Sequence, residues 1–231
     1  MNVKILQLID GAREARGLTV IIDVFRAFSV EAYLLASGAE RIVPIGDARL
    51  AYELKNENAD FVLVGEREGK ILPGFDFGNS PAQLCGANVK NKTVIHTTSA
   101  GTQGIANAIF ADEILGASLV NAKATAEYIK RSGAENVSLV CMGWMAKYPT
   151  EEDTLCAEYI KSLLENMPFD LETGIENLKR TSGSKFFDPE QNEVFPRDDF
   201  FMCTDADKFG FAMRLCRESS DMPYIEMVEI L

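Results

Sequence analysis

The sequence predicts an α/β fold with three layers, in which helices cover both faces of a mostly parallel sheet. Short apolar runs that suit buried strands alternate with segments of helical periodicity along most of the chain. A strand followed by a helical crossover is the usual building unit of a parallel sheet. The length of 231 residues and the hydrophobic fraction of 47% allow a substantial core, so we expect one domain over residues 1–231, or two closely packed lobes.

Six predicted strands precede the C-terminal quarter of the chain. They are short and apolar, and comprise residues 18–24, 41–45, 61–65, 93–97, 113–115 and 137–142. The segments between and after them show the apolar spacing of helices, and comprise residues 27–36, 48–56, 101–110, 123–131 and 151–166. Residues 168–201 break the alternation with glycines and prolines, so we expect an irregular excursion there that contains one short helix, 171–180. The pattern then predicts a helix over 205–217 and a final strand over 224–230.

The composition narrows the range of partners. The chain carries 23 basic and 35 acidic residues, a net charge of −12, which disfavours binding to nucleic acid or to an anionic membrane. No apolar run reaches the roughly 20 residues of a membrane span, and residues 1–16 lack a signal-peptide core. Five cysteines without a CxxC pair predict free thiols in a reducing compartment. We therefore expect a cytoplasmic protein with a small-molecule substrate, and a homodimer remains open.

Polar residues gather where the predicted strands end, which is where open α/β sheets bind their ligands. The first strand ends in Asp23, suited to Mg²⁺, and Arg26 follows with a guanidinium suited to a phosphate or sulfonate. Taken alone, an Asp at this position is more often an ordinary helix cap. The third strand leads into Glu66 and Arg67, and then into Asn79 and Ser80, for which a plain loop with a helix cap is an equally simple interpretation.

The fourth strand ends in hydroxyl and glycine residues ahead of a helix, with Thr98, Ser99, Gly101 and Thr102 in the turn. Backbone N–H groups, hydroxyls and the positive end of a helix suit an anion such as phosphate. The turn lacks the Lys of a nucleotide-binding GxxxxGK[ST] loop, which disfavours a nucleoside triphosphate. His96, the only histidine, lies within the strand, and a structural imidazole is favoured there over a catalytic base.

Two later junctions offer further candidates. Ser118 and Asn121 follow the fifth strand and either line the same crevice or cap a helix. Glu152 and Asp153 open the helix 151–166, where acidic residues are favoured by the helix dipole. If they lie at the same sheet edge as Asp23, they also complete an oxygen-rich site for Mg²⁺.

Five short motifs follow one another along the chain: DVFRAFS at 23–29, GERxG at 65–69, GFDFGNSP at 74–81, TTSAGT at 97–102 and EDTLCA at 152–157. In this order they resemble the 2-phosphosulfolactate phosphatase family over about residues 18–164, with a weaker similarity over 205–223. The chain departs from the commoner family pattern at Phe25, at Phe28-Ser29 and at Ser99-Ala100, where Leu, Thr-Thr and Asn-Gly are more usual. These departures leave the substrate open.

The resemblance implies a Mg²⁺-dependent phosphatase that converts 2-phospho-3-sulfolactate to 3-sulfolactate and phosphate, a step toward coenzyme M. We expect the catalytic residues to be Asp23, Arg26, Glu66 and Glu152, and the metal ligands to be Asp23 and Asp153. We expect the contacts to the small anionic substrate and its phosphate to be Arg26, Arg67, Asn79, Ser80, Thr98, Ser99, Gly101, Thr102, Ser118 and Asn121.

Three alternatives remain open from the residues alone. The nucleophile is either a metal-activated water or Asp23 itself. The second is less favoured, because the DxDx[TV] pattern typical of aspartyl-phosphate phosphatases is absent. The substrate is phosphosulfolactate or a different small phosphorylated hydroxy acid or phosphosugar. A non-catalytic anion-binding protein on the same scaffold is the third alternative, although carboxylates around an anion have a use only when a metal is present.

Overall fold

The computed structural model describes residues 1–217 and 222–230. Within these residues ten strands form one sheet: β1 (Asn2–Gln7), β2 (Gly17–Ile22), β3 (Arg41–Pro44), β4 (Val62–Arg67), β5 (Lys70–Ile71), β6 (Thr93–Thr97), β7 (Ala111–Ala117), β8 (Asn136–Cys141), β9 (Phe211–Cys216) and β10 (Tyr224–Glu229). The α-helices of the same residues are α1 (Leu8–Glu14), α2 (Ala27–Ala36), α3 (Ala48–Glu57), α4 (Gly101–Asn107), α5 (Ala122–Ser132), α6 (Glu151–Glu165), α7 (Leu171–Leu178) and α8 (Arg197–Thr204). The predicted mixed α/β fold with a mostly parallel sheet is confirmed.

The side chains of β2 show how helices cover both faces of the sheet. Alternate residues of a strand point to opposite faces. Leu18, Val20 and Ile22 lie in a buried cluster with side chains of α5 and α6, whereas Ile21 lies in a second cluster with side chains of α2 and α4. The sheet is therefore the middle layer of three.

The strand order, β1-β8-β2-β7-β9-β10-β3-β6-β4-β5, divides the sheet into two parallel blocks. The first block is β1-β8-β2-β7 and the second is β3-β6-β4. The hairpin of β9 and β10 joins them through three antiparallel pairings, β7 with β9, β9 with β10 and β10 with β3. The strands of the two blocks therefore run in opposite directions. The chain passes twice between the blocks, through α2 and through α4.

A flat sheet of this order would hold the ends of β2 and β6 far apart. The structure brings them together, because the backbone N–H of Gly101 at the start of α4 donates to Asp23 Oδ2 after β2 at 2.8 Å. Strand twist and curling of the sheet make this meeting possible. Glycine is required at 101, since a Cβ there would lie 2.8 Å from Ala27 Cβ and 3.0 Å from Asp23 Oδ2.

Several elements differ from the sequence-based predictions. Residues 1–16 contain β1 and α1, which the periodicity analysis did not identify. The helix predicted over 205–217 is wrong: this segment contains β9, in which Met213 is buried and Arg214 is exposed, as the two-residue period of a strand requires. Part of the weaker family similarity, residues 218–221, lies outside the described residues. The region 168–201 holds the predicted short helix as α7 and also the start of α8.

Two further predictions from composition can be compared with the structure. All five cysteines are unpaired, as expected. Across residues 1–217 and 222–230, no helix is both long enough and apolar enough to cross a bilayer.

Candidate active site

A pocket opens where the loops that follow β2, β4, β6 and β8 meet. Carboxylates, one guanidinium, polar side chains and aromatic rings line it. The residues in its wall include Asp23, Arg26, Glu66, Asn79, Ser99 and Trp144. The prediction that loops after separate strands converge at one place is met for these residues.

Asp23 is buried at the junction of the two blocks of strands. Its Oδ1 accepts a hydrogen bond from the Ala27 N–H at 3.1 Å, and its Oδ2 accepts the bond from Gly101 already described. The pKa of Asp23 is raised to about 7, mainly by burial and further by the negative charges of Glu66 and Glu152. The site therefore disfavours the ionised carboxylate unless a cation is present.

Glu66 at the end of β4 links two loops of the pocket. Its Oε1 accepts the Ser99 N–H at 2.6 Å, and its Oε2 accepts the Gly69 N–H at 2.6 Å and the Ser99 hydroxyl at 3.2 Å. Bonds from two backbone N–H groups hold this carboxylate in one orientation. Glu66 is thus a second fixed negative charge in the pocket wall.

Asp153 and Glu152 lie behind Asp23, in the first turn of α6. Asp153 Oδ1 accepts the Val24 N–H at 2.8 Å and its Oδ2 accepts the Gly143 N–H at 2.8 Å, so this side chain ties the loop after β2 to the loop after β8. Burial raises the pKa of Asp153 well above its usual range, and the charges of Glu152 and Asp23 add to the effect. Three acids from two distant segments therefore form one electrostatically coupled group.

Glu152 is the least satisfied of these acids. Its Oε2 is buried without a hydrogen-bond partner of good geometry, although the hydroxyls of Thr150 and Ser182 lie close enough to lower its pKa. Burial is the larger influence and raises the pKa of Glu152, while the positive charge of Lys185 opposes it. An unpartnered carboxylate oxygen in this position is suited to a cation.

Replacing Glu152 with Gln should stabilise the metal-free protein. The pKa of Glu152 is higher in the folded protein than its unfolded value of about 4.5. Ionisation of Glu152 therefore lowers the free energy of unfolding, and the loss grows as pH rises from about 4.5 through the folded-state pKa. We expect the melting temperature to rise by about 2–4 °C for each kcal/mol gained in the free energy of unfolding. The rise should be larger at about pH 7.5 than at about pH 5.5.

The matched control for this variant is Glu151→Gln, which makes the same change one residue earlier at an exposed position of the same helical turn. Both variants remove a first-turn acid, so the helix dipole affects them alike. Equal shifts in the two melting temperatures would show that burial of Glu152 has no energetic consequence.

Arg26 lines the pocket, but its guanidinium is already engaged. Nη1 donates to Asp199 Oδ2 at 2.6 Å and to the carbonyl oxygen of Val194 at 2.9 Å, and Nη2 donates to the carbonyl oxygen of Gly69 at 3.4 Å. The ring of Phe195 lies 5.0 Å from its Cζ. Arg26 therefore fastens the loop after β2 to the segment around α8, besides placing a positive charge at the pocket.

Other predicted binding residues support the loops that carry the pocket. Thr98 Oγ1 accepts the Thr102 N–H at 3.2 Å, and Thr102 Oγ1 accepts the Thr98 N–H at 3.0 Å, which closes the turn ahead of α4. The Ser80 hydroxyl donates to Asp199 Oδ1 at 2.8 Å. These hydroxyls are buried and serve the protein's own backbone and side chains.

Of the ten predicted contacts, three line the pocket, Arg26, Asn79 and Ser99, and seven do not: Arg67, Ser80, Thr98, Gly101, Thr102, Ser118 and Asn121. Ser118 N donates to Asn121 Oδ1 at 3.0 Å, and the two residues cap a short 3₁₀ turn in the core, as the capping alternative supposed. Arg67 donates to Thr97 Oγ1 at 3.0 Å and to the carbonyl oxygen of Glu66 at 2.6 Å, so it braces the end of β4.

Two charged residues that contact side chains of the pocket wall were not identified from the sequence. Asp199 is fully buried beside Arg26, and Lys185 lies over the pocket ring of Trp144 at 4.4 Å and over that of Phe195 at 5.1 Å. Burial lowers the pKa of Lys185, and the negative charge of Glu152 opposes this shift. Both residues lie within the excursion 168–201. The signal there that could have identified them is the number of aromatic residues around isolated charged residues.

The donor set is compatible with a divalent cation. Within the described residues, no group of three or more His, Cys, Asp or Glu side chains is arranged to hold a metal by itself. Mg²⁺ usually takes one or two protein carboxylates, with water and substrate oxygens as its other ligands. Asp23, with its raised pKa, and Glu152, with its free oxygen, fit that requirement.

Comparison with known proteins gives one consistent result. The family model described as 2-phosphosulpholactate phosphatase matches residues 4–189. A probable 2-phosphosulfolactate phosphatase of Bacillus subtilis (strain 168) is 34% identical over 218 residues, which cover 92% of each chain. Proteins of the same description from Caldanaerobacter subterraneus subsp. tengcongensis and Thermoplasma volcanium are each 33% identical, over 86% and 76% of this chain and 77% and 82% of their own lengths.

Proposed function

The chain belongs to the 2-phosphosulfolactate phosphatase family, and from this premise we propose that it hydrolyses 2-phospho-3-sulfolactate to 3-sulfolactate and phosphate with the help of Mg²⁺. The observation that carries the proposal is the buried acidic group of Asp23, Glu152 and Asp153, which opens onto the pocket at Asp23. An anionic substrate has no reason to enter such a pocket unless a cation offsets those charges.

The same acids would hold the metal. We assign Mg²⁺ to Asp23 and consider two candidates for a second ligand: Glu152, whose Oε2 has no hydrogen-bond partner within the described residues, and Asp153. When bound, Mg²⁺ supplies positive charge for the transferring phosphoryl group and a water of lowered pKa as the nucleophile. Hydrogen bonds from Val24 and Gly143 to Asp153, and from Ala27 and Gly101 to Asp23, keep both carboxylates in place without a ligand.

Glu66 is our candidate for the general base. It is the other carboxylate in the pocket wall, and its bonds to the Ser99 and Gly69 N–H groups fix its direction. A base held in this way accepts a proton from the attacking water without a change of side-chain conformation. Lys185 and Arg26 lie over aromatic rings of the pocket wall and provide positive charge for the sulfonate or carboxylate of the substrate.

The test is a comparison of substrates with and without metal. We expect the purified protein to release phosphate from 2-phospho-3-sulfolactate when Mg²⁺ is present and to lose this activity when the metal is chelated. The panel includes a phosphorylated hydroxy acid without a sulfonate and a sugar phosphate. Equal kcat/KM on these compounds would favour the alternative substrates, and tight binding without turnover would favour an anion-binding protein.

A further inference from the structure

A fully buried acid and the only histidine of the chain form a pair behind the pocket. His96 Nδ1 lies 2.8 Å from Glu31 Oε1, and both side chains are inaccessible to solvent. On the other side of the ring, His96 Nε2 lies 3.4 Å from Asn79 Oδ1. Asn79 in turn lines the pocket. The pair therefore connects the core side of α2 to a polar side chain of the candidate active site.

The charge of this pair restricts where the protons lie. Glu31 Oε2 is buried and has no hydrogen-bond partner within the described residues. An ionised carboxylate in such a place is very costly unless a positive charge compensates it. Two arrangements avoid both an uncompensated charge and a buried O–H without an acceptor: an ionised Glu31 beside an imidazolium, or a Glu31 protonated at Oε1 that donates to Nδ1. A proton on Oε2 would leave that O–H unsatisfied, because Oε2 has no partner within the described residues. In both arrangements Nε2 carries a proton.

A protonated Nε2 decides the orientation of Asn79. An N–H group donates to the amide oxygen, which leaves the amide NH₂ of Asn79 for the pocket. The opposite orientation would require a bare Nε2 and would turn the amide oxygen toward the ligand. Because an NH₂ group attracts a phosphate oxygen and a carbonyl oxygen repels it, the two orientations have opposite effects on an anionic substrate.

We propose that Glu31 and His96 are positioning residues that hold the Asn79 amide with its NH₂ group toward the pocket, where it donates to an oxygen of the bound anion. The proposal rests on the proposed function for the nature of that anion. It assigns a role to two residues that lie outside the pocket. Changes to partners that orient metal ligands typically reduce affinity or activity by about 10- to 100-fold, and we expect an effect of similar size here.

The first test measures which nitrogens of the His96 ring are protonated. Because His96 is the only histidine, ¹⁵N-labelling of histidine gives the signals of one ring, and one-bond N–H couplings show which nitrogens bear protons. We expect a protonated Nε2 in the wild-type protein. In Glu31→Gln, an amide oxygen facing Nδ1 leaves Nε2 bare, whereas an amide NH₂ facing Nδ1 leaves Nε2 protonated, and the couplings show which form is present. A bare Nε2 in the wild type would overturn the proposal.

The second test measures the effect on substrate binding through KM. We expect Glu31→Gln, when its Nε2 is bare, to raise KM for 2-phospho-3-sulfolactate by about 10- to 100-fold, with a smaller change in kcat. Asn79→Ala should have a similar effect, and the double variant should be no worse than Asn79→Ala, since both changes act through one amide. Unchanged KM in Glu31→Gln when its Nε2 is bare, raised KM when its Nε2 is protonated, or full additivity with Asn79→Ala would contradict the proposed coupling.

Tyr33→Phe is the matched control on the same helix. It removes one hydrogen bond, from the Tyr33 hydroxyl to the carbonyl oxygen of Met202 at 3.1 Å, on the side of α2 away from His96. We expect KM and the ring signals of this variant to match the wild type. If no phosphomonoester is hydrolysed, the ring signals still test the orientation, and the Kd for inorganic phosphate with Mg²⁺ replaces KM.

Discussion

Asp23→Asn should lower kcat/KM for 2-phospho-3-sulfolactate by about a thousandfold. Asp23 is the acid that opens onto the pocket, and Asn binds Mg²⁺ far less well than a carboxylate because it carries no charge. Loss of a catalytic metal removes several kcal/mol of transition-state stabilisation, which corresponds to about three orders of magnitude in rate. Steady-state kinetics over a Mg²⁺ titration measure both the loss and the changed metal requirement.

Thermal melting provides a readout of the same variant that does not depend on activity. The folded-state pKa of Asp23 is raised from 3.8 to about 7, so its ionised form weakens the metal-free protein increasingly as pH rises from about 4 through 7. Mg²⁺ that binds the folded state should raise the melting temperature of the wild type at neutral pH, and Asp23→Asn should lose most of this rise. Asp10→Asn, at an exposed position, is the control.

The comparison with Asp153→Asn separates two roles. If Asp23 and Asp153 share the metal, the double variant should be little worse than the more damaged single variant. If Asp153 acts only through its bonds to Val24 and Gly143, its replacement should lower the melting temperature and leave the Mg²⁺ requirement unchanged. A normal Mg²⁺ requirement in Asp23→Asn itself would mean that Asp23 is a helix cap.

Arg26→Ala should cost about 3–5 kcal/mol in the free energy of unfolding, the range observed when one partner of a buried ion pair is removed. Asp199 is fully buried, and the variant leaves its charge without the guanidinium that lies 2.6 Å away. Chemical denaturation of Arg26→Met, of Asp199→Leu and of the variant with both changes measures the coupling. We expect the double variant to be more stable than the sum of the single losses predicts.

An exposed pair is the control for the Arg26 variants. Arg49 and Asp47 also lie within salt-bridge distance, at 3.0 Å, but both side chains are largely in solvent. Arg49→Ala should therefore leave stability almost unchanged. If Arg26→Ala keeps normal stability and only raises KM, then Arg26 contacts the substrate, as the motifs predict. Its bond to Asp199 would then contribute little to the free energy of unfolding.

The sequence by itself determined the local elements and the order of the motif loops. The six internal strands and the helices between them have apolar periods of two or of three to four residues, and such periods depend only on neighbouring residues. The acids and hydroxyls at the ends of those strands could be identified for the same reason. Cytosolic location and the oligomeric state stay predictions.

Tertiary structure decided which of these residues meet. Arg26 pairs with Asp199 at a separation of 173 residues, and the core histidine reaches an acid 65 residues away. Within segment 205–217, Phe211–Cys216 becomes a strand because β7 and β10 offer it hydrogen bonds on both sides. Periodicity carries no information about such distant partners, since burial and charge compensation act between side chains that only the folded chain brings together.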